Sequence, residues 1–413
     1  MAEITGINLG GDTNVANSLQ RQYDPKLIEM NNLDFGLFKR FKEWPNYKSV
    51  GSGFYFLLVP RDDEKGLSAE AEDSTIATPE RPTYIQGYVV DKYYYATIRM
   101  TAQIAARARA GGGWITDYIA NQIKRKRQQM YRYANERAVR NGDGVAATCV
   151  GAGSSSTSLT VNSTRHLHVG MYIQIYTAAG SGEITGTSTK ITNINRQTKV
   201  CTIDDSSSWS NGSYIYRVGQ YNSGTPLEGT GLRQMISSDT SANFQNVDPS
   251  TYLEFTSYHD SDGGAISREK LFKAINYAEM FGNSGVVNEI WVNRQTRNKL
   301  FMVIMPAIQY QGPKSLELAY NPKDDPISFE GKKFPVDECI FDGDMFGINW
   351  KTMGKITTKE IGLDSAIPQL KNTLLRDAGK DAVSLFLSWF YELMIGDRRS
   401  NFRISGVDTL YTF

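Results

Sequence analysis

His166 and His168 are two of the three histidines in the chain, the third being His259. On a strand, residues two apart share a face, so a His-x-His pair of this kind aims both imidazoles at one point and can begin a metal site. No Cys, Glu or third His stands nearby in sequence to complete the ligand set, and an ordinary polar strand face accounts for the pair. Asp260-Ser261-Asp262-Gly263-Gly264 offers two carboxylates and the glycine turn of a calcium loop. The later oxygen ligands and the closing Glu at loop position twelve are missing, which leaves a solvated turn. Gly111-Gly112-Gly113 precedes a helical pattern, and a helix start can hold phosphate. No Lys-Ser/Thr follows and no strand leads in, so the glycines read as a hinge or a tight packing point.

Lys124-Arg125-Lys126-Arg127 could neutralise nucleic-acid phosphates whatever their sequence. The plainer reading is a solvated helix face or salt bridges between subunits. No carboxylate pair can be given the two roles that glycoside hydrolysis needs. Catalytic, cofactor-binding and metal-binding residues are therefore all assigned as none, no cofactor is expected, and the chain is not expected to be an enzyme.

Composition sets the same bounds. The 413 residues are 40% hydrophobic, enough for two or three packed domains. Lys and Arg total 45 against 44 Asp and Glu, a net charge of +1, which argues against a dedicated nucleic-acid clamp. Cys149, Cys201 and Cys339 are scattered and odd in number, giving neither a disulfide framework nor a paired zinc motif and fitting a reducing cytoplasm. Residues Met1 to Gln20 lack the basic-then-apolar order of an export signal, and no run reaches the roughly twenty apolar residues of a membrane span, so neither export nor insertion by the chain's own signals is expected.

The elements that would carry these residues are uneven in texture. Residues 1–46 are polar, with only Leu27-Ile28, Phe35, Leu37, Phe38 and Phe41 as apolar anchors, and should be ordered mainly by docking elsewhere. Phe54 to Val59 and the tyrosine-rich run Tyr84 to Met100 read as strands, joined by a polar connector that suits a projecting arm better than a core. A shorter helical stretch, Thr101 to Ala110, leads to a long basic helix, Trp114 to Arg140, with Ile115, Ile119, Ile123, Met130, Ala134 and Ala138 on its packing face. Short β runs at turn spacing, Leu159–Val161, Tyr172–Tyr176, Lys190–Ile194, Lys199–Ile203 and Tyr214–Tyr216, make residues 148–220 an inserted all-β unit, a small barrel or sandwich. Beyond Pro226 the pattern turns mixed: a helix capped by Ser267 with Leu271, Ile275 and Ala278 buried, a strand from Val286 to Val292, a helix from Arg294 to Val303, broken strands from Phe329 to Ile348, and a last strong strand from Ala382 to Leu393. The two parities of that last strand predict partial cover on both faces.

Three patterns in order carry a resemblance: Lys92-Tyr93-Tyr94-Tyr95-Ala96-Thr97-Ile98-Arg99-Met100-Thr101 leading to the helix; Phe329-Glu330-Gly331-Lys332-Lys333-Phe334-Pro335-Val336 followed by Asp342-Gly343-Asp344-Met345-Phe346-Gly347-Ile348-Asn349; and Trp389 to Leu393 through Ile404 to Val407. Together they resemble the major capsid proteins of tailed double-stranded DNA bacteriophages, the family with the Hong Kong 97 fold, over most of the chain. The resemblance implies an α+β, HK97-like fold: an N-terminal arm (1–46), an extended β-hairpin loop and peripheral-domain strand (47–100), a spine helix in the peripheral domain (101–147), the inserted β domain (148–220), and an axial domain with returning peripheral strands (221–413). It implies subunits that assemble into hexamers and pentamers of an icosahedral shell around DNA, in a virion built in the bacterial cytoplasm. Portal, scaffold and cement or decoration proteins would be partners, contact with packaged DNA would be weak and non-specific, and no membrane would be involved. Lys65 in the projecting loop invites a covalent crosslink by analogy with some members, but no partner asparagine or acid can be named. The resemblance also implies a maturation movement, for which Gly111 to Gly113 is a suitable bending point. The rivals are another virion part, such as a tail or decoration protein, and a carbohydrate-active soluble protein suggested by the β insert and its aromatics.

Overall fold

One residue, Asp91, divides the tyrosine-rich β pattern into two strands of different sheets. In the computed structural model, which describes residues 36–409 apart from 46–48, 51–52, 62–64, 66, 68, 77, 102, 104–113, 178–181, 186–188, 223, 283–284, 309–327, 364–374 and 377–381, strand β1 (Gly53–Arg61) pairs antiparallel with β2 (Thr83–Val90) as a long hairpin. Asp91 is buried and accepts a hydrogen bond from the Thr358 hydroxyl. Beyond it, β3 (Lys92–Thr101) leaves the hairpin for another sheet. Gly87 and Val89 face inward on β2, whereas Tyr94 and Ile98 do so on β3. Inward parity thus changes from odd to even across Asp91, and a change of parity turns a strand's other side to the core. The single run expected from Tyr84 to Met100 is corrected accordingly.

Helix α1 (Trp114–Ala138) spans about 37 Å at ~1.5 Å per residue. Ile123, Met130, Ala134 and Ala138 pack into the core, and Lys124 and Arg127 face solvent. Gly142 and Gly144, with φ of +74° and +82°, turn the chain out of the helix. The glycines 111–113, the side chains of Ile115 and Ile119, and nearly all of the shorter helical stretch before them lie outside the described residues.

The chain then builds two three-stranded sheets. Strands β4 (Val145–Thr148), β5 (Gly153–Thr160), β6 (Ile173–Tyr176), β7 (Ile191–Asn195), β8 (Val200–Trp209) and β9 (Tyr214–Arg217) pair in the orders β4-β9-β6 and β5-β8-β7. Ile173, Ile175 and Ile215 of one sheet meet Leu159, Ile191, Cys201 and Ile203 of the other in one core, which makes the unit a sandwich. The serine-rich β5 begins six residues before the expected Leu159. Pairing to β8, not its own weak propensity, holds it extended.

The remaining chain forms a mixed sheet with helices on it. It contains β10 (Tyr258–Asp260), β11 (Glu289–Val292), β12 (Lys332–Lys333), β13 (Met345–Ile348) and β16 (Phe402–Ile404), in the order β10-β16-β13-β11-β12, with the short strand Ser328–Phe329 at the edge beyond β12. Helix α2 (Arg268–Phe281) starts where the Ser267 side chain accepts from the Lys270 N–H, and it buries Leu271, Ala274, Ile275 and Ala278, as the sequence predicts. Helix α3 (Arg294–Ile308) runs five residues past its predicted end, and β11 begins three residues after the predicted Val286.

Strand β15 (Ala382–Ile395) sits between β14 (Met353–Leu363) and β3. Leu387, Trp389, Tyr391 and Leu393 are buried on one parity, and Ser384, Ser388 and Glu392 on the other, so both faces are covered as expected. The start of the described chain docks here. Leu37, Phe38 and Phe41 are buried, with the Phe38 ring 5.4 Å from Trp389 and 5.3 Å from Tyr391. The other arm anchors, Leu27, Ile28 and Phe35, lie outside the described residues. Replacing Phe38 with alanine leaves a cavity against two edge-on aromatics, and a loss of about 3–5 kcal/mol in chemical unfolding is expected; a loss under about 1 kcal/mol would mean the arm is not held by this ring.

Candidate functional site

Four buried polar side chains, Asn135, Glu136, Arg137 and Arg140, lie together at the C-terminal end of α1. Such groups persist in a core only when their polar atoms are satisfied. Asn135 accepts from the Phe38 N–H at 2.8 Å and donates to Asp337 at 2.9 Å, and Asp337 also accepts from the Leu37 N–H at 3.0 Å. Arg140 donates to Glu228 at 2.8 Å and to His166 Nδ1 at 3.1 Å. Tyr133 donates its hydroxyl to the same Glu228. Glu136 meets His168 at 2.6 Å and Arg140 at 3.8 Å. Although burial raises the Glu136 carboxyl, the His168 hydrogen bond and the nearby positive charges outweigh it and hold it at about 2.

The two histidines of the sequence motif therefore belong to this cluster. They lie on a turn, not on a strand as expected, because residues 163–170 wrap over the helix end. Burial, followed by the charge of Arg140, pushes His166 down to about 3. The ring is neutral: Nδ1 accepts from Arg140 and Nε2 donates to the Cys339 carbonyl at 2.8 Å. His259 sits apart on β10 and bonds Ser405 at 2.9 Å.

A second buried group adjoins the first. The Arg137 guanidinium lies 3.4 Å over the Tyr94 ring and donates to the Tyr391 hydroxyl. Its Nε and Nη1 have no hydrogen-bond partner among the described residues. Glu392 Oε1 accepts from the N–H groups of Thr230 at 2.6 Å and Leu393 at 3.1 Å, while Oε2 has no such partner. Burial raises this carboxyl to about 7.

The other candidates stay separate. Cys149 and Cys201 are buried in the sandwich core, their thiols pushed up by burial to about 12 and about 11, far from reactive thiolates. Asp260 accepts from the Asp262 N–H at 3.0 Å, and Gly263 backs onto the Gly406 carbonyl, so the acidic loop is a turn packed on the chain's end strand. Lys65 pairs with Glu80 at 2.9 Å in the open. Within the basic run, Lys124 and Arg127 are exposed and Lys126 is half-buried. No group of three His, Cys, Asp or Glu able to hold a metal occurs among the described residues. The geometry locks segments together, and the Ser405 hydroxyl beside the His259 ring joins β10 to the segment after β16.

Outward-facing chemistry is concentrated on the hairpin. Tyr55, Leu57 and Val59 line one exposed face of β1, Tyr84 stands on β2, and Leu67 and Ile76 in the connector are 78% and 82% exposed. On β3, exposed Tyr93 and Tyr95 flank Phe390 at 4.9 and 5.7 Å. Large apolar side chains grouped on a projecting element mark a surface made to be covered. Sequence reasoning placed the hairpin but missed the buried cluster. Its one visible sign was Glu136 and Arg140 at i,i+4 beside Ala134 and Ala138, a charged pair along an apolar stripe.

No protein-family model matches the sequence, and no curated protein matches it. Among solved structures, the chain is similar to the capsid asymmetric unit of cyanophage A-1(L), with a TM-score of 0.58 at 10% identity, over 95% of this chain and 98% of that one. It is also similar to the capsid of the native GTA particle computed with C5 symmetry, with a TM-score of 0.50 at 9% identity, over 98% of this chain and all of that one (100%). At such identity the likeness is one of fold. The chain has an α+β, HK97-like capsid fold, into which the two-sheet sandwich is inserted.

Glu392 ties stability to pH. Its folded value of about 7 lies above the ordinary 4.5, so the stability it contributes is full below about pH 4.5 and lost as pH rises through 7. Glu136 has the opposite sign, contributing stability above 4.5 that is lost as pH falls toward 2. In urea unfolding, Glu392→Gln should gain on the parent by roughly 1–3 kcal/mol between pH 5 and pH 8. Equal differences at the two pH values would show that the carboxyl is already ionised in the fold at pH 5.

Proposed function

We propose that the chain is the major capsid protein of a tailed double-stranded DNA phage, packing as hexamers and pentamers into an icosahedral head. The observation that carries this reading is the hairpin of β1 and β2, which extends Tyr55, Leu57, Val59 and Tyr84 into solvent from a subunit of capsid fold. A lone soluble protein gains nothing from that exposure, whereas a shell subunit covers it with a neighbour. Each subunit then offers unlike patches to successive neighbours, and rings close when the rotation allows. Many weak contacts engaged together make the shell durable.

In this reading residues 1–46 act as an arm, 47–100 as the extended loop with its strand, 101–147 as the spine, 148–220 as an inserted unit and 221–413 as the axial part with returning strands. The role is geometric, not enzymatic. Portal and scaffold proteins would meet the shell during assembly in the host cytoplasm, cement proteins afterwards, and packaged DNA would touch its inner face weakly. The long α1 and the central β15 weigh against a simple tail or decoration module, which needs neither.

Negative-stain electron microscopy of the purified chain, alone and then with the neighbouring phage genes, tests the proposal. Closed shells, five- or six-membered rings or curved sheets are expected, and a monomer under every condition would overturn it. Leu57→Asp with Val59→Asp should abolish these assemblies while leaving the far-ultraviolet spectrum of the subunit unchanged, since both side chains point away from the fold.

A further inference from the structure

A cleft of about 750 Å³ opens between β3, α1 and the end of the inserted sandwich, and each of the three elements brings a cation to it. Lys92 opens β3, Lys126 and Arg137 stand on α1, and Arg217 closes β9. Asp91 is the single carboxylate on the wall, and the Thr358 hydroxyl already engages it. Neither Lys126 nor Arg217 forms an ion pair among the described residues. The Arg137 and Arg217 guanidiniums lie 4.7 and 4.8 Å from the centre of the same Tyr133 ring. Burial, followed by the charge of Arg217, holds the Lys126 ammonium below its usual range, the mark of two cations crowded without a counter-ion. Arg137 is 4% exposed, and its Nε and Nη1 have no acceptor among the described residues. Glu392 shares a small void with Arg137, but burial pushes its carboxyl to about 7, so it offsets the guanidinium only in part near neutral pH.

Like charges gathered in a half-buried cleft cost free energy that a bound anion recovers. Two guanidiniums and an ammonium in one pocket supply N–H donors from several directions, which suits the oxygens of a phosphate better than a single chloride. The volume is that of a small-molecule site. Exposed Tyr93, Tyr95 and Leu227 add apolar surface to its lining, against which the body of a phosphate ester can rest. We propose that the cleft is a binding site for a phosphate-class anion, either inorganic phosphate or a small phosphate monoester, held by Lys126 and Arg217 with Arg137 in the wall. Bound there, the anion links α1 to the end of β9 by contacts that its release undoes. The site stands on these residues alone and does not depend on the capsid reading.

Titration calorimetry of the full chain at constant ionic strength tests this, with inorganic phosphate, a nucleoside monophosphate and a short DNA duplex as separate probes. Phosphate should bind once per chain with a Kd below about 1 mM. Tighter binding of the monophosphate would assign the apolar lining to an ester, and equal binding would assign the site to free phosphate; both support it. Lys126→Gln with Arg217→Gln should weaken binding by roughly tenfold or more. Lys124→Gln with Arg127→Gln removes the same charge from the exposed face of α1 and should change nothing. No saturable phosphate binding up to about 10 mM, or an equal loss in both variants, would overturn the proposal. So would duplex binding that needs Lys126 and Arg217 where phosphate does not bind, since the cleft would then serve a nucleic-acid backbone. A second measurement uses the parent chain and no variant: labelling with pyridoxal 5′-phosphate, then borohydride. An unprotonated lysine amine attacks the aldehyde with loss of water, and borohydride reduces the imine to a stable label that peptide mapping locates. Lys126 should be labelled ahead of Lys124, and inorganic phosphate should protect it; equal labelling of the two without protection would overturn the site.

Discussion

The buried ionic cluster at the end of α1 is the constraint on which the rest depends. Arg140, Glu136 and Glu228 have almost no exposure, and an ion pair so placed recovers its desolvation cost only with near-complete hydrogen bonding. Completing it requires the Tyr133 hydroxyl, the neutral His166 ring and the His168 ring, hence a fixed position for the sandwich turn over the helix. One turn earlier, Asn135 and Asp337 do the same for the backbone of Leu37 and Phe38. An apolar joint would tolerate sliding, whereas these directional bonds admit one arrangement of Leu37 and Phe38, the end of α1, the sandwich turn, Glu228 and Asp337. The cluster's contribution is thus to register more than to net stability.

That fixed joint explains the contrast between the two sides of the central sheet. Toward α1, Trp389 meets Phe38 and Tyr131 edge-on, Tyr391 meets Phe38 edge-on, and Tyr94 lies tilted against Tyr391. Away from it, exposed Tyr93 and Tyr95 flank a half-buried Phe390 edge-on. Alternate residues of one strand therefore serve two partners, the subunit's own core and whatever covers the outer face. Rigidity on the inner side gives the outer side a defined shape.

Much of this was legible in the residues. Ser267 three residues before Lys270, with Leu271, Ile275 and Ala278 behind it, specifies a capped amphipathic helix by local rules, and the structure has it. The parity change at Asp91 was present in the sequence but hidden by unbroken β propensity on both sides. Strand β5 was invisible because Gly153 to Ser158 has no β-forming pattern and takes its conformation from β8, more than forty residues later. His166 and His168 were misplaced on a strand for a related reason: their surroundings are set by Arg140, Cys339 and Glu136, which no short-range pattern reveals. Glu228 carries no local signal at all. What depended on neighbours along the chain was readable, and what depended on partners across the fold was not.

The position of β15 has a consequence in time. It is the centre of its sheet, yet its partner β3 precedes it by nearly 300 residues, and the Leu37–Asp337 bond spans 300. At a synthesis rate of about 5–20 residues per second, β3 waits roughly 15–60 s beside the ribosome for the strand that completes it. During that interval the hairpin can form, but the platform that orients it cannot. A nascent chain is consequently unable to display its outer face in the correct relation to the rest until β15 has paired with β3. Late closure of the sheet acts as a timer that withholds a defined outer face until nearly 300 further residues have been made.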